Sequence, residues 1–267
     1  AQEYTKRVIL EKGLSVTALN HFVTCPKEFF YKSILKIPEA PSVSSERGIA
    51  MHKALSLVWR EEDRSAKNIE KTIVSVTEDY FKTSLLPKFE KEIVREEIKS
   101  YAVDVGRELE GYFAFTGQTF IEKWEEKEFL TKYGKEEISF NLHGQLDAIL
   151  VDDKKAQIFD YKTTESKSIA SIKGETKSSD GNYFRQLVFY KFLLSGGVNY
   201  KDKEIDPALI FVKPNASGKC PTVVLPILES DIDKVKEEVE NLVQSVWSGE
   251  FLKKDCDDKD CKYCGLK

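Results

Sequence analysis

The apolar residues of the chain recur at helical spacing in its first half and at two-residue spacing after about residue 119. Spacings of three and four residues predict three successive helices, over 46–63, 67–86 and 88–115. A helix or helix pair is also expected from Thr17, with a break at Cys25-Pro26 because proline cannot continue a helix. The connector 37–45, rich in proline and serine, precedes the three helices, and we interpret 46–115 as a helical insertion.

Two-residue periodicity in the segment that ends near Leu150 predicts a half-buried strand or hairpin. One parity of this segment is apolar, at Ile138, Phe140, Leu142, Leu146, Ala148 and Leu150. Asp147 has the opposite parity, so we predict that it points away from the apolar face. A polar turn separates this strand from a second one, 157–162, in which Asp160 and Lys162 share a face.

The remainder of the chain mixes helices and strands. Residues 164–181 have little periodicity and are predicted to form a mobile loop. The elements expected after this loop are a helix over 182–195, strands near 205–213 and 221–228, and a helix over 229–248. The tail 249–267 is irregular and carries three cysteines.

Length and composition limit the class of protein. A chain of 267 residues, 41% of them hydrophobic, can bury a sizeable core, so we treat 1–267 as one domain. A formal net charge of −4 excludes a uniformly basic nucleic-acid-binding protein, although 154–191 is locally basic. The sequence has no apolar run of membrane-helix length and no signal peptide, which predicts a soluble cytoplasmic protein. Five cysteines, an odd number, favour metal ligation or burial over disulfides.

The pattern Asp-x-Lys occurs three times, and the surroundings distinguish the copies. Two copies lie in a polar turn and in the tail, at Asp153-x-Lys155 and Asp257-x-Lys259. The third, Asp160-x-Lys162, ends an apolar strand next to that of Asp147. Two carboxylates in one pocket repel each other unless a divalent cation binds them, and a lysine beside such a cation suits phosphodiester hydrolysis. Strand-end caps or surface salt bridges are the alternative roles for the two aspartates.

Four short motifs follow one another along the chain: Gly48-x-x-x-His52, Gly144-x-x-Asp147, Asp160-Tyr161-Lys162 and Gln186-x-x-x-Tyr190. In this order they resemble the RecB-type branch of the PD-(D/E)XK nuclease superfamily, and the resemblance covers most of the chain. It implies an α/β fold of the restriction-endonuclease type, in which helices flank a mixed central sheet. It also implies a metal-dependent deoxyribonuclease, most simply an exonuclease.

The resemblance also assigns roles to individual residues. His52, Asp147 and Asp160 would bind Mg²⁺ or Mn²⁺, and the backbone carbonyl of Tyr161 would be a further ligand. Lys162 would be the catalytic lysine. A purely structural histidine on a helix is the alternative for His52.

Three further positions are weighed on the same resemblance. Gln186 and Tyr190, one helical turn apart, would line the DNA side of the site, unless Tyr190 is a core residue with Gln186 at its edge. Glu128 resembles the acidic position that precedes the metal-binding strand of the family. His143 lies about 13 Å along the strand from Asp147, too far to share its metal.

The cysteines form a second candidate site. Cys256, Cys261 and Cys264 lie within nine residues of one another, and three thiolates need a fourth to close a structural metal site. The segment around Cys25 resembles the N-terminal cysteine segment of iron–sulfur RecB-type nucleases, which implies a [4Fe–4S] cluster. The spacing of the last three cysteines differs from that family, so Zn²⁺ is the alternative metal and unligated thiols are a third possibility. Cys220, before a predicted strand, is expected to be buried.

The opening segment 14–41 is similar to the start of the nuclease module that follows the motor domains of some UvrD-like helicases. We therefore expect an excised C-terminal domain whose partners are DNA, single-stranded at the active site, and helicase motor domains in the same or another chain. The sequence has no phosphate loop for ATP. The predicted role is an exonuclease in DNA repair and recombination, and a non-catalytic DNA-binding or structural module is the alternative.

Overall fold

The computed structural model describes residues 1–266, and within them a mixed six-stranded sheet is flanked by helices on both faces. The strands are β1 (Leu14–Ser15), β2 (Gln118–Tyr133), β3 (Glu136–Val151), β4 (Lys155–Lys162), β5 (Glu204–Phe211) and β6 (Thr222–Val224). The helices are α1 (Gln2–Lys12), α2 (Val16–Thr24), α3 (Pro26–Glu28), α4 (Val43–Val58), α5 (Ala66–Thr83), α6 (Lys88–Phe113), α7 (Ile169–Lys173), α8 (Asn182–Leu194) and α9 (Glu229–Ser248). A π-helix, Phe29–Ile34, continues α3.

The order of strands in the sheet is β1-β3-β4-β5-β6, and β2 also pairs with β3. β2 and β3 form a long antiparallel hairpin, and β4 is antiparallel to β3. β5 lies parallel to β4, and the crossover between them contains α7 and α8. This topology places the end of β4 next to the middle of β3 and beneath α8.

The sheet is covered on both faces. One apolar core joins the sheet to α1, α2, α8 and α9, and a second joins it to α4, α5 and α6. On β4, Ile158 belongs to the first core, whereas Phe159 and Tyr161 belong to the second. Because β4 is buried on both faces, Asp160, on the same parity as Ile158, is only 5% exposed.

Local signals fix several helix ends. Cys25 has an extended backbone with φ of −159°, and Pro26 starts the next helical turn, which confirms the predicted break. At the start of α9, the carboxylate of Asp231 accepts a hydrogen bond of 2.8 Å from the Leu228 amide. Gly249, with φ of 79°, ends that helix in the left-handed conformation.

The α/β fold of the restriction-endonuclease type, with its mixed central sheet, is confirmed. The predicted helices over 46–63, 67–86, 88–115 and 182–195 correspond to α4, α5, α6 and α8, and the helix over 229–248 matches α9. Three expectations were wrong in extent: α4 begins inside the connector 37–45, α7 lies inside the predicted loop 164–181, and β6 is shorter than 221–228. No helix among the described residues is long and apolar enough to cross a membrane.

Candidate active site and cysteine cluster

Asp147 and Asp160 lie on the neighbouring strands β3 and β4. The carboxylate Oδ2 of Asp147 accepts a hydrogen bond of 2.8 Å from the backbone amide of Tyr161. This contact fixes Asp147 against the strand that carries Asp160 and Lys162. Tyr161 therefore links the two acids through its backbone.

His52 reaches this point from α4. Its Nδ1 lies 3.0 Å from Oδ1 of Asp147, and its Nε2 lies 3.0 Å from the carbonyl oxygen of Tyr161. Burial lowers the pKa of His52, but the hydrogen bond and charge of Asp147, with the charge of Asp160, raise it more, so its pKa lies above the ordinary value. An imidazole between two acceptor oxygens can satisfy both only when it is protonated or when a cation replaces a proton.

Lys162 and Gln186 bind the other carboxylate. The ammonium of Lys162 lies 2.6 Å from Oδ2 of Asp160 and donates a hydrogen bond of 2.7 Å to Oε1 of Gln186. The amide nitrogen of Gln186 donates to Oδ1 of Asp160, at 2.7 Å, and to the hydroxyl of Tyr190, at 2.9 Å. These four side chains form one network between the end of β4 and α8.

Burial dominates the titration of this network. It raises the pKa of Asp160, the charge of Lys162 opposes this effect, and the charge of Asp147 adds to it, so the pKa of Asp160 lies above its ordinary value. Burial lowers the pKa of Lys162, but the charge of Asp160 and its hydrogen bond to Lys162, with smaller contributions from neighbouring groups, together raise the pKa above its ordinary value. Lys162 is therefore an ammonium at neutral pH.

The donors at this point suit a hard divalent cation. The carboxylate of Asp147, the imidazole of His52 and the Tyr161 carbonyl contact one another, and the carboxylate of Asp160 lies on the neighbouring strand β4. Oδ2 of Asp160 is buried and accepts no hydrogen bond of good geometry, although the ammonium of Lys162 lies near it. A buried carboxylate oxygen without a well-oriented donor is an available ligand for a cation.

The sequence did not reveal how Tyr161 is anchored. Its hydroxyl accepts a hydrogen bond of 3.1 Å from the indole nitrogen of Trp59 and lies 2.8 Å from the hydroxyl of Tyr112. Trp59 directly follows α4, and Tyr112 lies near the end of α6, so residues of these two helical segments hold the residue that links the acids. Residues so distant in sequence carry no shared local pattern.

The structure does not bring Glu128 to this site, in contrast to the prediction. Glu128 pairs with Asn141 on the exposed part of the β2 and β3 hairpin, six residues along β3 from Asp147. There it accepts a hydrogen bond of 2.7 Å from the Ser139 hydroxyl. His143 also lies apart, with its ring stacked on Trp124 at a centroid distance of 4.6 Å.

The four predicted cysteines do come together. The Sγ atom of Cys264 lies 3.6 Å from those of Cys25 and Cys256, and the Sγ atom of Cys261 lies 3.7 Å from that of Cys25. All four sulfurs lie within 4.8 Å of one another. Burial raises the pKa of Cys25 to about 12, which disfavours a free thiolate but not one bound to a metal. Cys220 is buried elsewhere, as predicted, in the core between the sheet and helices α4, α5 and α6.

A mixed sheet with two acids and a lysine on adjacent strands is the arrangement of a nuclease of the restriction-endonuclease type. The PD-(D/E)XK nuclease superfamily matches residues 13–267, and the chain belongs to this family. No curated protein matches the chain.

Three solved structures are similar to this chain to different degrees, and the first of them shows the same fold. A candidate exonuclease from Eubacterium rectale is 13% identical, with a TM-score of 0.58, over 100% of this chain and 92% of its own. The protein SSO0001 is 13% identical over 82% of this chain and 83% of its own, with a TM-score of 0.32. VC1899 from Vibrio cholerae is 11% identical over 88% of this chain and 56% of its own, with a TM-score of 0.23.

Proposed function

We propose that this protein is a Mg²⁺- or Mn²⁺-dependent deoxyribonuclease that hydrolyses phosphodiester bonds. The observation that carries the proposal is the convergence of His52, Asp147 and the Tyr161 carbonyl beside the buried pair of Asp160 and Lys162. A structural ion pair would not need a second acid and an imidazole at the same point. Membership of the nuclease superfamily supports the same reaction.

His52, Asp147, Asp160 and the carbonyl of Tyr161 would hold the cation. When bound, the cation supplies polarisation of the phosphodiester and neutralises its developing charge. Lys162 is an ammonium and acts as a donor: it stabilises negative charge on a phosphate oxygen or orients the attacking water. Gln186 fixes the relative positions of the Lys162 and Asp160 side chains, because it forms a hydrogen bond with each of them.

Substitution of Asp160 tests the proposal. We expect Asp160→Asn to lower cleavage of single- and double-stranded DNA by at least about a hundredfold with either metal, since a cation ligand and a charge are lost. Asp153→Asn is the matched control, because Asp153 belongs to the exposed copy of the same Asp-x-Lys pattern. Equal activity of both variants and the unaltered protein would reject the assignment.

A second measurement separates an active nuclease from a non-catalytic binding module. Calorimetric titration with Mn²⁺ should show saturable binding that Asp160→Asn weakens. Saturable DNA binding without Mn²⁺ binding or cleavage would instead favour a binding or structural module.

We further propose exonuclease action on DNA that is single-stranded at the site. A linear end-labelled strand should then be degraded, whereas a circular single strand of the same sequence should persist. The association with helicase motor domains and the role in DNA repair and recombination stay predictions, supported by the similarity of segment 14–41 alone.

For the cysteine cluster we propose a bound metal that joins Cys25 to the tail. Four sulfurs around a zinc ion at 2.3 Å would be about 3.8 Å apart. Three of the sulfur pairs lie 3.6 or 3.7 Å apart, and all four sulfurs lie within 4.8 Å of one another. In a [4Fe–4S] cluster each thiolate binds a separate iron, so the sulfurs must stand farther apart. The spacing supports Zn²⁺, and the iron–sulfur cluster is the alternative.

Metal analysis and absorption spectroscopy distinguish the two centres. A protein purified without oxygen should contain one zinc per chain and be colourless. Four irons per chain and brown absorption would establish the cluster, and absence of both metals would reject ligation.

A further inference from the structure

One aromatic ring beside the active site contacts two lysines. Tyr183 lies on α8, one helical turn before Gln186. The ammonium nitrogens of Lys162 and Lys167 lie 4.5 and 4.4 Å from the centroid of its ring. Both distances lie inside the roughly 6 Å range of cation–π attraction, so the two cations are held together through one side chain.

The ring is itself fixed in place. Tyr183 packs on the buried Phe211 of β5, with a distance of 6.4 Å between ring centroids, and belongs to the small core that contains Leu187 and Leu209. It is also partly exposed, so the ring is not enclosed by the core. A ring anchored in this way can orient the flexible side chains of the two lysines that contact it.

Lys167 differs from Lys162 in its partners. The charge of Lys162 is balanced by Asp160 at 2.6 Å. Lys167 is exposed, and no carboxylate in residues 1–266 forms an ion pair with it within 4.0 Å. The nearest acid in sequence, Glu165, lies instead 3.5 Å from Lys213. Lys167 therefore presents an unbalanced positive charge close to the catalytic lysine.

The backbone around Lys167 is constrained at both ends. Lys162 ends β4, and its carbonyl accepts a hydrogen bond of 2.9 Å from the Val212 amide. The hydroxyl of Ser168 caps α7 by accepting from the amide of Ser171, at 3.2 Å. Only a short segment separates these anchors, which keeps Lys167 next to the site.

We propose that Lys167 binds a backbone phosphate of the DNA strand next to the phosphate that is hydrolysed, and that Tyr183 is the positioning residue for both lysines. This inference rests on the proposed nuclease function. A phosphate is the anion that such a substrate brings to this side of the site, and a lysine without an acidic partner binds it without first breaking an ion pair. The contact is to the sugar–phosphate backbone, so it contributes affinity but no base preference.

The test measures binding of a fluorescein-labelled single-stranded oligonucleotide by anisotropy, without divalent metal so that no cleavage occurs. Lys167→Gln should weaken binding about five- to tenfold. It should also reduce the steepness with which the logarithm of the association constant falls with the logarithm of the salt concentration, by about 0.7, the value for one lost phosphate contact on a single strand. Lys177→Gln is the matched control, because Lys177 is an exposed lysine in the same basic region, and it should bind like the unaltered protein.

Tyr183 is tested by a pair of variants in the same assay. Tyr183→Leu should reproduce the loss seen for Lys167→Gln, and Tyr183→Phe, which keeps the ring, should restore most of the affinity. A combined Tyr183→Leu and Lys167→Gln variant should be little weaker than either single variant, since both remove one phosphate contact.

The outcomes separate this inference from the proposed function. If Lys167→Gln and Lys177→Gln behave alike while the unaltered protein cleaves DNA, the phosphate contact is wrong and the nuclease assignment stands. If Lys167→Gln lowers affinity and salt dependence as expected but no DNA is cleaved with Mg²⁺ or Mn²⁺, the contact stands and the nuclease assignment fails. If the unaltered protein binds no oligonucleotide, the phosphate contact is rejected.

Discussion

Two glycines of α6 allow a direct measurement of how tightly the insertion helices pack. A methyl group added at Gly106 would meet the carbonyl oxygen of Ala66, at the start of α5, at 2.3 Å. The same group at Gly111 would meet nothing within 4 Å. Both positions are helical, so Gly→Ala brings the same gain of about 1 kcal/mol in helix propensity at each.

The difference between the two variants therefore reports the contact of α6 with α5. Overpacking against backbone costs about 3 kcal/mol, since neither helix can move away by rotating a side chain. We expect Gly106→Ala to lower the free energy of unfolding by about 2 kcal/mol and Gly111→Ala to raise it by about 1 kcal/mol. Urea unfolding followed by circular dichroism measures both changes. Equal shifts in the two variants would show that α5 and α6 do not pack as closely as described.

Three further predictions address the site and its surroundings. Tyr161→Phe should lower the free energy of unfolding, measured in urea, by about 2–3 kcal/mol, because it leaves the Trp59 indole and the Tyr112 hydroxyl without their partner. The control Tyr4→Phe, at an exposed position, should change the free energy of unfolding little. Equal effects of the two variants would contradict the buried network. Chelation of the cysteine-bound metal, or Cys25→Ser, should expose the tail after Lys253 to proteolysis. An unchanged digestion pattern would argue against a metal that joins Cys25 to the tail. Burial lowers the pKa of His143 below 6.5, so as the pH falls the unfolded chain binds this proton first, and the folded state loses stability between pH 6.5 and the folded pKa. The fluorescence of Trp124, which stacks on this ring, should titrate with a midpoint below 6.5. A midpoint at or above 6.5, or the same titration curve in the His143→Asn variant, would refute the assignment.

The elements that could be predicted are those with strong local signals. The bounds of α9 agree with the prediction because Asp231 and Gly249 mark its ends in the sequence. Asp160 and Lys162 share a face, as strand alternation requires, and they form an ion pair. The break at Cys25-Pro26 follows from the chemistry of proline.

The elements that were missed depend on distant partners. β2 carries charged residues on both parities, and the inward ones form hydrogen bonds with residues distant in sequence. The Tyr200 hydroxyl donates to Glu125 at 2.7 Å, and Lys127 donates to the Ser195 carbonyl. Such a strand has no hydrophobic alternation to detect. Glu122 interrupts it with φ of 49°, which also has no simple sequence signal.

The sequence predicted only some of the residues that α8 contributes to the site. Gln186 and Tyr190 are one turn apart and were predicted to act together, and Gln186 does contact both Asp160 and Tyr190. Tyr183 belongs to the same helix but was not singled out. Its relation to Lys162 and Lys167 arises from the crossover between β4 and β5, which sequence spacing alone does not specify.

The proximity of Cys25 to the tail has a mechanical consequence. A pull applied to the two ends of the chain would pass through α2 to Cys25 and, with a metal bound, directly on to Cys264, 239 residues later in sequence. Strands β2 to β6 and helices α4, α5 and α6 lie in the bypassed segment, between Cys25 and Cys264, and would be shielded from the pull until a metal–sulfur bond broke. Force spectroscopy would then record one early rupture that releases a long length of chain, and chelation would remove that first barrier.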